Sequence, residues 1–118
     1  MARPHENLEA WRQSISLVTS VYTATGVFPK EELFGLTTQM RRAAVSIPSN
    51  IAEGAARSGR REFAQFLNVA KGSLSELETQ LLISSELGLL PRNHDIFRLA
   101  DQVARLLTGL HRKAVNSK

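Results

Sequence analysis

Residues Gln39 to Arg57 read QMRRAAVSIPSNIAEGAAR, and the spacing of their apolar side chains predicts the fold. At 100° per residue, Leu36, Met40, Ala43, Ala44, Ile47, Ile51 and Gly54 share one face, the pattern of a core-facing helix. Arg42, Ser46, Ser49 and Glu53 form a polar row along its flank. Arg42 and Glu53 stand about 16 Å apart along the axis, too far to pair, so each needs a partner on another helix or in solvent. Pro48 removes one amide donor and crowds the Ala44 carbonyl, which ordinarily costs about 3 kcal/mol or kinks the helix. The bend is expected to recruit Ser46, Ser49 and Asn50 to polar groups freed around it.

Outward from this helix, the rest of the chain reads as its packing partners. A first helix is expected from Asn7, as N-cap, to Thr25, with Gly26 as its stop. It carries two apolar stripes, Leu8-Trp11-Ile15-Val18-Tyr22 and Ala10-Leu17-Val21-Ala24. A wide groove in a small bundle would cover both; alternatively, the second stripe meets a neighbouring subunit. Val27 to Gly35 is a connector in which Pro29, Glu31 and Glu32 suggest a short helical turn. The second helix runs from Leu36 to Ala56, and Ser58 or Gly59 caps a third from Arg60 to Leu87, about 42 Å long. A fourth is expected from Asp95 to His111, capped by Asn93 or Asp95. It turns Ile96, Leu99, Val103, Leu106, Leu107 and Leu110 inward and Arg98, Asp101, Gln102, Arg105 and Arg112 outward. The tail from Lys113 onward is expected to fray.

The short Ser58-Gly59 turn makes the second and third helices antiparallel, so facing positions add to a nearly constant sum. Met40 is then expected opposite Leu77, Ala44 opposite Leu74, Ile47 opposite Ala70, Ile51 opposite Leu67, and Gly54 opposite Phe63. Ala43, Ala44, Gly54, Ala70, Gly72 and Ser73 would let the backbones approach closely. The same register brings Arg42 near Glu76 and Glu78, a structural role that competes with a nucleic-acid role for that arginine.

The chain has 118 residues, 42% hydrophobic and 22% charged, which fits one all-α domain (1-118) with a single core. The absence of cysteine excludes disulfides and thiolate metal sites. No apolar run approaches a membrane span and the N-terminal stretch lacks a signal-like core, so a cytoplasmic protein without membrane contact is expected. The histidines, His5, His94 and His111, are scattered, and none follows a glutamate by three as di-iron bundles require. With no P-loop, H-E-x-x-H or nucleophile elbow, the expectation is no enzyme, no catalytic residue, no cofactor and no metal. The net charge of +4 favours acidic partners, nucleic acid above all. Eleven of the fifteen basic residues are arginine, which suits phosphate and interhelical carboxylate alike. The densest cluster is Arg57, Arg60 and Arg61 around the turn that opens the third helix, where free amides also attract an anion. Solvation, or pairing with Glu53 and Glu62, is the competing reading. With no aromatic interleaving or recognition helix evident, binding would be directed at the phosphate backbone.

GLTTQMRRAAVSIPSNIAEGAAR and REFAQFLNVAKGSLSELETQLLISSELGLL closely resemble the bacterial four-helix-bundle family of proteins encoded in 23S rRNA intervening sequences, often labelled S23 ribosomal protein. The resemblance covers Phe28 to Leu90 and rests on the SIPSNIAEG and GSLSELET strings. The family includes the accessory variability protein of diversity-generating retroelements. By that resemblance the chain is expected to be an antiparallel up-down four-helix bundle that assembles as a homopentamer and binds RNA or DNA as a non-enzymatic accessory protein. The alternative it implies is a scaffold for a partner enzyme such as a reverse transcriptase. The candidate nucleic-acid contacts are Arg41, Arg42, Arg57, Arg60, Arg61 and Lys71.

Overall fold

The computed structural model describes residues 3–116. Among them lie four α-helices and no strand: α1 (Glu9–Thr25), α2 (Thr38–Ala55), α3 (Arg60–Glu86) and α4 (Asp95–Asn116). Each packs antiparallel on the helix before it, and α4 closes against α1, giving a bundle 48 × 24 × 21 Å. One cluster of buried side chains runs through it, with Leu17, Val21, Met40, Ile47, Ile51, Leu67, Leu77, Leu81, Val103 and Leu107 all fully enclosed.

The helix ends follow local chemistry. A 3-10 turn over Pro4–Asn7 precedes α1, so its N-cap is Leu8, one residue beyond the expected Asn7. Between α1 and α2 the expected turn forms at Lys30–Glu32 behind Pro29, and a π-helical turn, Leu33–Thr37, follows it. Gly35 breaks helical geometry inside that turn, so regular α2 begins at Thr38 rather than Leu36. Gly59 is the N-cap of α3, with no side chain covering its first amides. At α4 neither Asn93 nor Asp95 caps: His94 Nδ1 accepts the Ile96 amide at 3.0 Å, the geometry a shorter polar side chain supplies elsewhere. That helix continues through Asn116, past the His111 boundary, because Ala114 extends the inward row of Val103, Leu107 and Leu110 and packs on the core. Lys113 to Asn116 are therefore helical, and Ser117 and Lys118 lie outside the described residues.

Helix α2 continues through Pro48, whose ring is buried, without losing its helical assignment. The three expected side chains act around it. Ser49 Oγ donates to the Val45 carbonyl at 2.8 Å, and Asn50 Nδ2 donates to the Ser46 carbonyl at 2.8 Å and to Ser46 Oγ at 3.0 Å. These donors reach the two carbonyls after that of Ala44, the one that loses its amide partner to Pro48, so they brace the turn around the proline without replacing the missing bond.

Facing α3, Ser46 shares a 2.8 Å hydroxyl hydrogen bond with Ser73, and Gly54 lies against Phe63, as the register predicts. At the other end Ser84, whose hydroxyl donates to the Gln80 carbonyl at 2.8 Å, stands 3.4 Å from Met40 Sδ, two turns past the Leu77 expected opposite Met40. Ala43, Ala44 and Ala70 are buried in the seam, whereas Gly72 is exposed with open space around it and takes no part.

The closest approach is at Gly54. A Cβ there would stand 2.6 Å from Phe66 Cβ and 3.1 Å from Phe63 Cδ1. Because Phe66 Cβ is fixed to its backbone, no rotamer change relieves the contact, and the helices must separate. Gly54→Ala is therefore expected to destabilise the fold by about 1–3 kcal/mol, overriding the roughly 1 kcal/mol helix propensity that alanine gains. Urea denaturation measures this, and Phe66→Ala added to Gly54→Ala is expected not to restore stability, since the offending Cβ remains.

Candidate nucleic-acid interface

On α1 the stripe Ala10, Ser14, Leu17, Val21 and Ala24 is the one buried in the bundle. The Leu8-Tyr22 stripe lies along its edge, with Ile15 and Tyr22 exposed. The alternative that the Ala10-Ala24 stripe meets a neighbouring subunit is therefore overturned: it is buried within the chain, because its small residues let the neighbouring helices approach, and the Leu8-Tyr22 stripe is the one left partly uncovered.

The antiparallel order gathers four chain segments at one end: the N-terminal turn before α1, the α2–α3 turn, the start of α3 and the end of α4. Arg57, Arg60 and Arg61 stand there. One groove, about 220 Å³, is lined by Pro4, Leu8, Gly54, Ala55, Phe63 and the turn from Arg57 to Arg60. A second, about 470 Å³, lies between the start of α3 (Gly59, Arg60, Arg61, Ala64) and the end of α4 (Ala114, Val115). Arg60 borders both. Its neighbour in space is the last turns of α4, through Ala114 and Val115, a proximity that follows from the continued apolar period through Ala114, while Arg112 lies in a separate depression along α4 with Arg105, Thr108 and Gly109.

The six candidates do not form one site. Arg41 is occupied between helices: its Nε donates to Thr25 Oγ1 at 2.9 Å, Nη2 to the Tyr22 carbonyl at 3.4 Å, and its guanidinium stacks 4.4 Å from the Tyr22 ring. Arg42 is exposed near the start of α2, about 22 Å along the axis from Arg57. It makes no ion pair with Glu76 or Glu78; Glu76 instead accepts from Gln80 Nε2 at 3.2 Å. Lys71 is half-buried midway along α3. Arg57 pairs with Glu53 at 3.2 Å and covers the Phe66 ring at 5.1 Å, so Glu53 finds its partner one turn on in its own chain segment and not on another helix. Arg60 and Arg61 are exposed and make no ion pair among the described residues. Arg12, at the same end, is neutralised by Glu9 at 2.7 Å. The Glu9 carboxyl is held below its usual range by hydrogen bonds from Gln13 and Arg12.

A different cleft, about 300 Å³, lies between α3 and α4, lined by Glu78, Leu81, Leu82, Arg92, Phe97, Ala100 and Asp101. Arg92 stacks over Phe97 at 4.4 Å. Partial burial pushes the Glu78 carboxyl up, and the negative charge of Asp101 pushes it the same way. Among the described residues no three His, Asp or Glu side chains gather as a metal site requires, and no helix is long and apolar enough to cross a membrane.

Residues 6–109 match the model of a family described as 23S rRNA-intervening sequence protein. The match reaches well beyond Phe28 to Leu90 and takes in α1 and most of α4. No curated protein matches the chain significantly.

Two stability effects follow from this placement. Arg41→Ala removes a part-buried hydrogen bond and the ring contact that tie α1 to α2, and is expected to lower stability by about 1–2 kcal/mol in urea titrations. Glu78→Gln is expected to raise the thermal midpoint at pH 7. A carboxyl whose folded pKa lies above its unfolded value opposes folding once ionised. The gain should therefore be full above the folded pKa and vanish as pH falls through the unfolded value of about 4.3.

Proposed function

The chain belongs to the 23S rRNA-intervening sequence protein family, and from that premise we propose that it is a non-enzymatic, self-assembling accessory protein that binds RNA or DNA through phosphate. The observation that carries this reading is the grouping of Arg57, Arg60 and Arg61 at one end of the bundle, around an uncapped α3 N-terminus. Guanidinium groups held at a helix start suit phosphate oxygens, and the helix dipole adds to their attraction. The family description points toward rRNA, and contacts made to phosphate would serve DNA as well.

One subunit presents few such groups. In a homopentamer the same cluster recurs five times, and counterion release from a continuous phosphate backbone grows with each contact. Arg41, held between helices, drops out of the contact set, and Arg57 contributes while anchored on Phe66. Arg42 and Lys71 remain as outlying cations, available to a strand that runs along α2 and α3.

A second reading has its own observation. Val27 and Phe34, in the α1–α2 connector, are 84% and 92% exposed, with Leu33 beside them. Apolar side chains so placed suit a protein surface, either a sister subunit or a partner enzyme such as a reverse transcriptase.

The nucleic-acid reading is tested by fluorescence anisotropy against salt. The wild-type protein is expected to bind generic RNA and DNA at low salt, with log affinity falling linearly against log salt. Arg60→Ala with Arg61→Ala is expected to lower that slope by roughly two per bound subunit and to weaken all sequences alike. No detectable binding at low salt, or affinity unchanged in the double variant, overturns the proposal.

A further inference from the structure

The smaller groove at the basic end differs from a plain phosphate patch, because its floor is apolar. Pro4, Leu8, Ala55 and Phe63 line it, and Arg57 and Arg60 stand at its edge. Its volume of about 220 Å³ is below that of sites for drug-sized ligands and suits a single planar ring system. Charge and shape therefore specify different parts of one ligand: an anion beside the arginines and a flat, weakly polar body against proline, leucine and phenylalanine.

Resting on the nucleic-acid reading, we infer that this groove seats one unpaired nucleobase of a single strand, with the adjoining phosphates held by Arg57 and Arg60. A base inside a duplex cannot enter, since its faces are covered by its neighbours; an unpaired base offers a π-face to Phe63 and a sugar edge to Leu8 and Pro4. Arg60 also borders the larger groove toward α4. A strand crossing it passes from one depression to the next, with the linking phosphate at the guanidinium. The base is selected for being unstacked rather than for its identity, because the floor carries no side-chain amide or carboxylate to read its edge.

Two labelled strands of about twelve nucleotides test this at low salt: an ordinary single strand, and one with the same sugar-phosphate backbone but abasic at every position. The protein is expected to bind the base-bearing strand at least about five-fold more tightly. Ala55→Leu and, separately, Ser58→Leu place an aliphatic side chain in the groove without altering charge. Each is expected to remove that preference while leaving the affinity for the abasic strand unchanged, with helicity checked by circular dichroism. Equal binding of the two strands by the wild-type protein, or a preference that survives both substitutions, overturns the inference and leaves the phosphate reading standing. Failure of both strands to bind overturns both. A change in sedimentation of Ala55→Leu with strand preference intact would assign the groove to another copy of the chain and also overturn it.

Discussion

The close passage of α2 over α3 at Gly54 sets the geometry of the basic end. With hydrogen in place of a methyl group, the α2 backbone rests directly on the Cβ of Phe66 and the ring of Phe63. Both aromatic side chains are half-buried there, with Phe63 packed against the core. Arg57, just after α2, finds the Phe66 ring to stack on, and Phe63 becomes part of a groove floor. A larger residue at 54 would push the helices apart and dissolve both arrangements. Further along the seam, alanines and the Ser46–Ser73 hydrogen bond continue the close contact, so the hairpin is tight over much of its length.

Pro48 shows how the same helix accommodates a residue that ordinarily disrupts one. Its ring is buried, and Ser49 and Asn50 brace the turn by donating to the carbonyls of Val45 and Ser46, next to the Ala44 carbonyl that loses its amide partner. Those polar side chains lie on the flank, so their hydrogen bonds remove no apolar residue from the core. Ser46 serves twice, accepting from Asn50 and meeting Ser73.

Arginine has divided tasks in this protein, and the division explains why charge composition was an incomplete guide. Arg41 ties α1 to α2, Arg12, Arg98 and Arg105 pair with carboxylates three or four residues away, and Arg57 is braced by Glu53 and Phe66. Asp95, held below the ordinary carboxylate range by the Arg98 hydrogen bonds, belongs to one of these local pairs. Such exposed pairs contribute little to stability. What they do is offset charge along the surface; at the turn Arg60 and Arg61 stay exposed without an ion pair, and Arg57 stays exposed beside them while braced.

Apolar periodicity alone was enough to determine four helices, their order, the inward placement of Ile47 and Ile51, and the meeting of Gly54 with Phe63, because each depends on a repeat of 3.6 residues and one short turn. The polar side chains that bond back around Pro48 were legible for the same reason, being within one turn of it. Tertiary structure alone decided which α1 stripe is buried, that Arg42 finds no partner on α3 while Arg41 does on α1, and that the last turns of α4 reach the basic cluster. Those outcomes depend on the rotation and rise of one helix against another, set by the sum of all side-chain volumes in the shared core. A single helix's pattern gives the direction a residue faces; the distance to what it faces exists only after packing.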